Sequence, residues 1–140
     1  MRIVTNSTAE TESLGESLAA RLKGGEVLAL FGPMGMGKTA FTRGLARGLG
    51  VQGGVSSPTF ALVHEHAGKI PLYHFDMFRV TSWDDLYSTG FFDYLESDGV
   101  LVIEWSENIE GALPENAVRI TVSPGETENQ RVFQIEGFAE

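Results

Sequence analysis

Val27-Leu28-Ala29-Leu30-Phe31-Gly32-Pro33-Met34-Gly35-Met36-Gly37-Lys38-Thr39-Ala40-Phe41 is the stretch on which the fold turns. It opens with an apolar run of strand length, passes through a glycine-rich turn, and continues as a helix that places Phe41, Leu45 and Leu49 on one face. Nearly continuous apolar runs belong to strands covered on both faces, as in parallel α/β sheets. Gly32 to Thr39 matches GxxxxGK(S/T) without a gap. The spacing has a chemical reason. Glycines let consecutive backbone N–H groups turn inward around phosphate oxygens without Cβ clashes. A helix that begins near Lys38 adds its positive N-terminal end. Lys38 can then reach the β- and γ-phosphates of ATP, and the Thr39 hydroxyl can ligate Mg²⁺.

Working outward, Ser7-Thr8-Ala9-Glu10 has capping-box spacing, and Leu14, Leu18 and Leu22 recur every four residues. The pattern predicts an amphipathic helix from about Thr8 to Leu22, stopped by Gly24-Gly25. After the second helix, Val51–Pro58 reads as a loop. Phe60 to His66 and Ile70 to Asp76 then read as a hairpin around Ala67-Gly68-Lys69. Ser82 to Leu95 is helical in pieces, broken at Gly90, and Val100 to Trp105 is a second buried strand. The tail alternates at Val118, Ile120 and Val122, turns at Pro124-Gly125, and ends in a strand from Arg131 to Ile135. Helices between apolar strands early on, with alternating strands later, predict a three-layer α/β fold of P-loop type with a mixed central sheet, one domain over residues 1–140.

A nucleotide-borne Mg²⁺ asks for a nearby carboxylate. Glu104 closes the run Val100-Leu101-Val102-Ile103, and Asp76 closes Leu72-Tyr73-His74-Phe75. Strands deliver their last side chains to the carboxyl edge of an open α/β sheet, where ligands bind. Both acids are therefore candidates, and spacing alone does not assign their roles. Thr59, in Ser56-Ser57-Pro58-Thr59-Phe60, is a candidate sensor of γ-phosphate and magnesium. Arg79 can stabilise phosphate charge or pair with Asp84 or Asp85. His64 and His66 share a strand face but lack an evident third ligand for a metal. Arg43 and Arg47 read as a solvated helix face, and Trp105 as packing on the face opposite Glu104.

The chain of 140 residues is 42% hydrophobic and 21% charged, with no cysteine, which excludes disulfides and thiolate metal sites. The longest apolar run is far too short to span a bilayer, and Met1 does not open a signal peptide, so the expected compartment is the cytoplasm, without membrane attachment. A net charge of −9 repels phosphates over most of the surface, so strong nucleic-acid binding by the isolated chain is not expected.

One ordered set of residues goes further. The phosphate loop is followed by Phe41-Thr42-Arg43-Gly44-Leu45-Ala46, then by Ser57-Pro58-Thr59-Phe60, His74-Phe75-Asp76 with Arg79, and Ile103-Glu104-Trp105. Together they resemble the TsaE (YjeE) family, the P-loop ATPase of bacterial tRNA threonylcarbamoyladenosine synthesis, over about Thr8 to Arg131. The resemblance implies a compact P-loop fold and an ATPase, slow alone, that assists the TsaB–TsaD complex in modifying adenosine 37 of tRNAs reading ANN codons. It implies phosphate contacts at Gly32, Gly35, Met36, Gly37, Lys38 and Thr39, and magnesium at Thr39 and Glu104. By the same match Asp76 and Thr59 lie near the γ-phosphate, and Thr11 near the adenine. The chain departs from the family pattern at Pro33 and Met36, and at Ser106, where proline is common. Two other classes share such a loop, a small-molecule kinase and a nucleotide-gated binding module. Few arginines for a lid speak against the first, and single-turnover ATP hydrolysis with and without partner proteins separates all three.

Overall fold

The structure, a computed structural model, describes residues 1–33, 37–52 and 63–138. Strand β1 (Arg2–Thr5) leads into helix α1 (Thr8–Ala19), followed by β2 (Val27–Phe31) and helix α2 (Lys38–Gly48). The hairpin strands are β3 (Val63–His66) and β4 (Leu72–Asp76), followed by short helices α3 (Trp83–Ser88) and α4 (Phe91–Leu95). β5 (Val100–Glu104) runs into a 3₁₀ segment, Ser106–Ala112, and β6 (Val118–Pro124) and β7 (Arg131–Glu136) close the chain.

The strands form one mixed sheet in the order β1-β7-β6-β2-β5-β4-β3. Its centre is parallel: β2 pairs with both β5 and β6, and β5 with β4. The margins are antiparallel, with β3 on β4, β7 on β6 and β1 on β7. Every residue of β2 and of β5 is buried, as expected of strands covered on both faces.

Period-two alternation sorts these strands between two cores. Leu28, Leu30, Val100 and Val102 join Leu14, Leu18, Phe41 and Leu45 under α1 and α2. Val27, Leu101 and Ile103 face the other way, toward Leu86, Phe91 and Ile109. The result is helices, sheet, helices. The first layer is drawn together by Gly44, where a Cβ would run into the Glu12 carbonyl of α1.

Several expectations are refined. Helix α1 starts as predicted, with the Ser7 hydroxyl accepting from Glu10 N, but it ends at Ala19, one turn earlier. Gly90 does break the helical stretch, in left-handed backbone at φ 79°. Strand β1 and the 3₁₀ segment were not foreseen. Arg43 and Arg47 are not merely solvated: both reach across to Glu12, and Arg47 also to Glu16 at 2.7 Å. No described helix is long and apolar enough to cross a membrane.

Candidate functional site

The site is built where β2 ends and α2 begins. Gly37 precedes α2 in left-handed backbone (φ 90°, ψ 14°) and, lacking a side chain, leaves the helix start without a side-chain cap. First-turn N–H groups have no intrahelical acceptors, so an uncapped start suits an anion. Lys38 is 4% exposed. Its Nζ donates to the Gly32 carbonyl at 2.8 Å and lies 4.9 Å from the centre of the Trp105 ring. Among the described residues the ammonium is thus held by a carbonyl and an aromatic face, both weaker anchors than a carboxylate, so it remains available to a phosphate. One turn on, the Thr42 hydroxyl donates to the Lys38 carbonyl at 2.9 Å. Thr39, beside Lys38, is half-buried.

Glu104 and Asp76 are register partners at the carboxyl ends of β5 and β4. Glu104 is buried, and its Oε2 accepts from His74 Nε2 at 2.6 Å. Asp76 is half-buried and its Oδ1 accepts from Phe78 N at 2.9 Å. A buried carboxylate with one oxygen already bonded offers its other oxygen in a fixed direction, and oxygen donors suit Mg²⁺. Both acids stand at the carboxyl edge of the sheet, the edge where β2 leads into the glycine loop, and carboxylate oxygens are donors of the kind that could hold Mg²⁺.

Thr11 lies on α1 beside a cavity of about 140 Å³ that Gly37, Ala40, Ser7 and Arg131 also line. Its side chain is 2% exposed, and its hydroxyl pairs with that of Thr5 at 2.7 Å. It therefore forms a wall of the cavity with its polar atom engaged. Gly32 takes φ 126°, and a Cβ there would strike the Val122 carbonyl of β6. Gly35, Met36 and Thr59, all proposed from sequence, lie outside the described residues.

Arg79 is exposed and makes no ion pair among the described residues. Asp85, one of its two suggested partners, instead accepts from Thr81 N and from the Thr81 hydroxyl, contacts that hold its carboxyl below the ordinary carboxylate range. Trp105 packs against the core on the Leu101 and Ile103 side, as expected, but departs from expectation in its backbone. It does not continue the strand but adopts left-handed backbone at φ 59°, ψ 40°, which swings its ring under Lys38. Sequence reasoning also missed Glu107, whose Oε2 accepts from Gly32 N at 3.0 Å. No local signal marks it, because the contact joins residues 75 apart. No group of three or more His, Cys, Asp or Glu side chains among the described residues can hold a metal ion, and His64 and His66 pack ring edge to ring face, 6.0 Å apart.

A parallel-centred sheet, a glycine loop that opens a helix from the end of a central strand, and acids at the neighbouring strand ends define the P-loop class of nucleotide-binding proteins. Within that class the chain belongs to the family described as threonylcarbamoyl adenosine biosynthesis protein TsaE, whose pattern it matches over residues 5–133. It is 39% identical to the tRNA threonylcarbamoyladenosine biosynthesis protein TsaE of Treponema pallidum, over 87% of this chain and 90% of the relative. It is 38% identical to the protein of the same name from Bacillus subtilis, over 91% of this chain and 81% of the relative. Its fold is similar to the crystal structure of Bacillus subtilis YdiB, with a TM-score of 0.75 and 32% identity, covering 95% of this chain and 82% of that one.

Proposed function

We propose that this chain, acting as one domain over residues 1–140, binds and hydrolyses ATP in the cytoplasm as the subunit that assists TsaB and TsaD in threonylcarbamoylation of adenosine 37 of tRNAs reading ANN codons. The observation that carries the reading is Lys38: a buried ammonium at the head of an uncapped helix, tethered among the described residues by a carbonyl and an aromatic ring. A phosphate is the ligand such a placement serves.

In this reading the loop from Gly32 through Gly35, Met36 and Gly37 to Thr39 holds the phosphates, and the cavity beside Thr11 receives the base. Bound Mg²⁺ supplies charge neutralisation between the β- and γ-phosphates. Thr39 and Glu104 would hold it, while Asp76 and Thr59 would orient water and the γ-phosphate. Family membership supports the pathway, since the relatives carry it in their names. The charge of −9 supports a division of labour in which other subunits contact the tRNA.

Lys38→Ala is expected to weaken ATP binding at least about tenfold by calorimetry with little change in melting temperature, because one charge-assisted bond is lost without a core cavity. The isolated chain is expected to turn over ATP slowly and to accelerate when TsaB and TsaD from the same organism are added. Wild-type affinity in the variant sinks the phosphate-loop assignment. Phosphorylation of a metabolite by the chain alone, with no response to the partners, sinks the pathway assignment and leaves the ATP site standing.

A further inference from the structure

The turn that leaves β5 touches both ends of the phosphate loop, Glu107 at Gly32 and Trp105 at Lys38. Trp105 is the single non-glycine residue with positive φ among the described residues. Such a backbone costs energy for an aromatic residue, and the surroundings must hold it. Ser106, fully buried, helps by donating from its hydroxyl to the Ile103 carbonyl at 3.0 Å. The reversal aims the Glu107 carboxylate back toward β2, onto Gly32 N. Gly32 is thereby held at both polar groups, its N–H by Glu107 and its carbonyl by Lys38. Asn108 extends the grip, donating from Nδ2 to the Met77 carbonyl at 2.8 Å and the Phe78 carbonyl at 3.2 Å, just beyond Asp76.

An exposed carboxylate beside a phosphate loop repels the anion it is meant to receive, so its presence calls for a compensating role. Gly32 supplies one. It is the pivot between strand and loop, in backbone that only glycine adopts easily, and glycine loses more freedom on ordering than any other residue. Bonds to both flanking peptides remove that freedom before a ligand arrives, and preorganisation of this kind favours binding.

We propose that Glu107 is a positioning residue of the phosphate loop: by accepting the Gly32 N–H it locks the loop's entry peptide, and with Asn108 it ties the loop to the segment following Asp76. The inference rests on the nucleotide-binding reading above. Two variants and two readouts test it. Glu107→Ala removes the bond and the charge; Glu107→Gln removes the charge and retains an acceptor oxygen. In the nucleotide-free full chain, Glu107→Ala is expected to speed exchange of the Gly32 amide about tenfold by NMR, a local opening that leaves core amides unchanged. The same variant is expected to bind Mg-ATP about fivefold more weakly, and Glu107→Gln to restore both quantities to within about twofold of wild type. The idea is overturned if Glu107→Ala leaves Gly32 exchange and ATP affinity unchanged. It is equally overturned if both variants bind ATP more tightly, since the carboxylate then acts by repulsion alone. Should the wild-type chain bind no ATP, the nucleotide reading fails, and the exchange comparison still judges the Glu107–Gly32 contact by itself.

Discussion

Glu104 and Asp76 sit side by side at the ends of adjacent strands, paired in register, yet the protein treats them differently. Glu104 ends a strand buried on both faces and meets His74, a fully buried ring whose Nδ1 has no hydrogen-bond partner among the described residues. Asp76 ends a strand one place nearer the margin and bonds a backbone N–H two residues on, the local turn contact typical of aspartate. The lesson concerns division of labour. Strand position, not residue type, decides which acid is buried and bonded to a buried side chain and which is half-open to solvent. A buried, bonded carboxylate suits a metal, and a half-open one suits water. Both roles remain part of the proposal.

The largest expected effect breaks the comparison on stability. Glu104→Ala removes the partner of a buried histidine and is expected to cost about 3 kcal/mol by urea denaturation, whereas Asp76→Ala forfeits an exposed turn bond and about 1 kcal/mol or less. Equal losses would mean that burial does not distinguish the two acids.

A smaller effect sharpens the comparison on chemistry. Glu104→Gln is expected to raise the Mg²⁺ concentration needed for ATP binding about tenfold, with magnesium-free nucleotide binding little changed. Asp76→Asn is expected to bind Mg-ATP within about twofold of wild type and to lose most of its hydrolysis. Titrating Mg²⁺ against both variants decides; exchanged phenotypes would reverse the assignment.

The smallest effect is on pH, at the marginal strand beyond β4. Burial first, then the neighbouring His74 and His64, holds His66 below the ordinary histidine value. A histidine whose folded value is lowered stabilises the fold fully above its unfolded pKa of about 6.5, and that contribution falls away as pH drops toward the folded value. Wild-type protein is therefore expected to lose slightly more melting temperature between pH 7.5 and pH 5.5 than His66→Gln does. Identical losses would show that this ring is solvated.

Much of the architecture was legible because its signals are local. An unbroken apolar run declares a strand covered on both faces, and Ser7 with Glu10 declares a helix start. Gly90 declares a break, and alternation at Val118, Ile120 and Val122 declares a strand with one buried face. Strand β1 was not legible, since four residues carry too little pattern and their pairing with β7 spans nearly the whole chain. The turn after β5 was also hidden. Nothing in Trp105-Ser106-Glu107 announces a left-handed tryptophan, because its ring position is set by Lys38 and by Phe78, 5.0 Å away.

By itself, then, the sequence determined that a glycine loop joins a buried strand to a helix, with Lys38 at the helix start and acids ending two later strands. These are short-range consequences of backbone freedom, periodicity and side-chain chemistry. Only the tertiary structure decided that Glu104 meets His74, that Trp105 lies under Lys38, and that Glu107 reaches Gly32. Each of those contacts joins residues 30 or more positions apart, or depends on one that does. Register between strands and the angle of a single turn determine them, and neither is encoded in any short window of the chain.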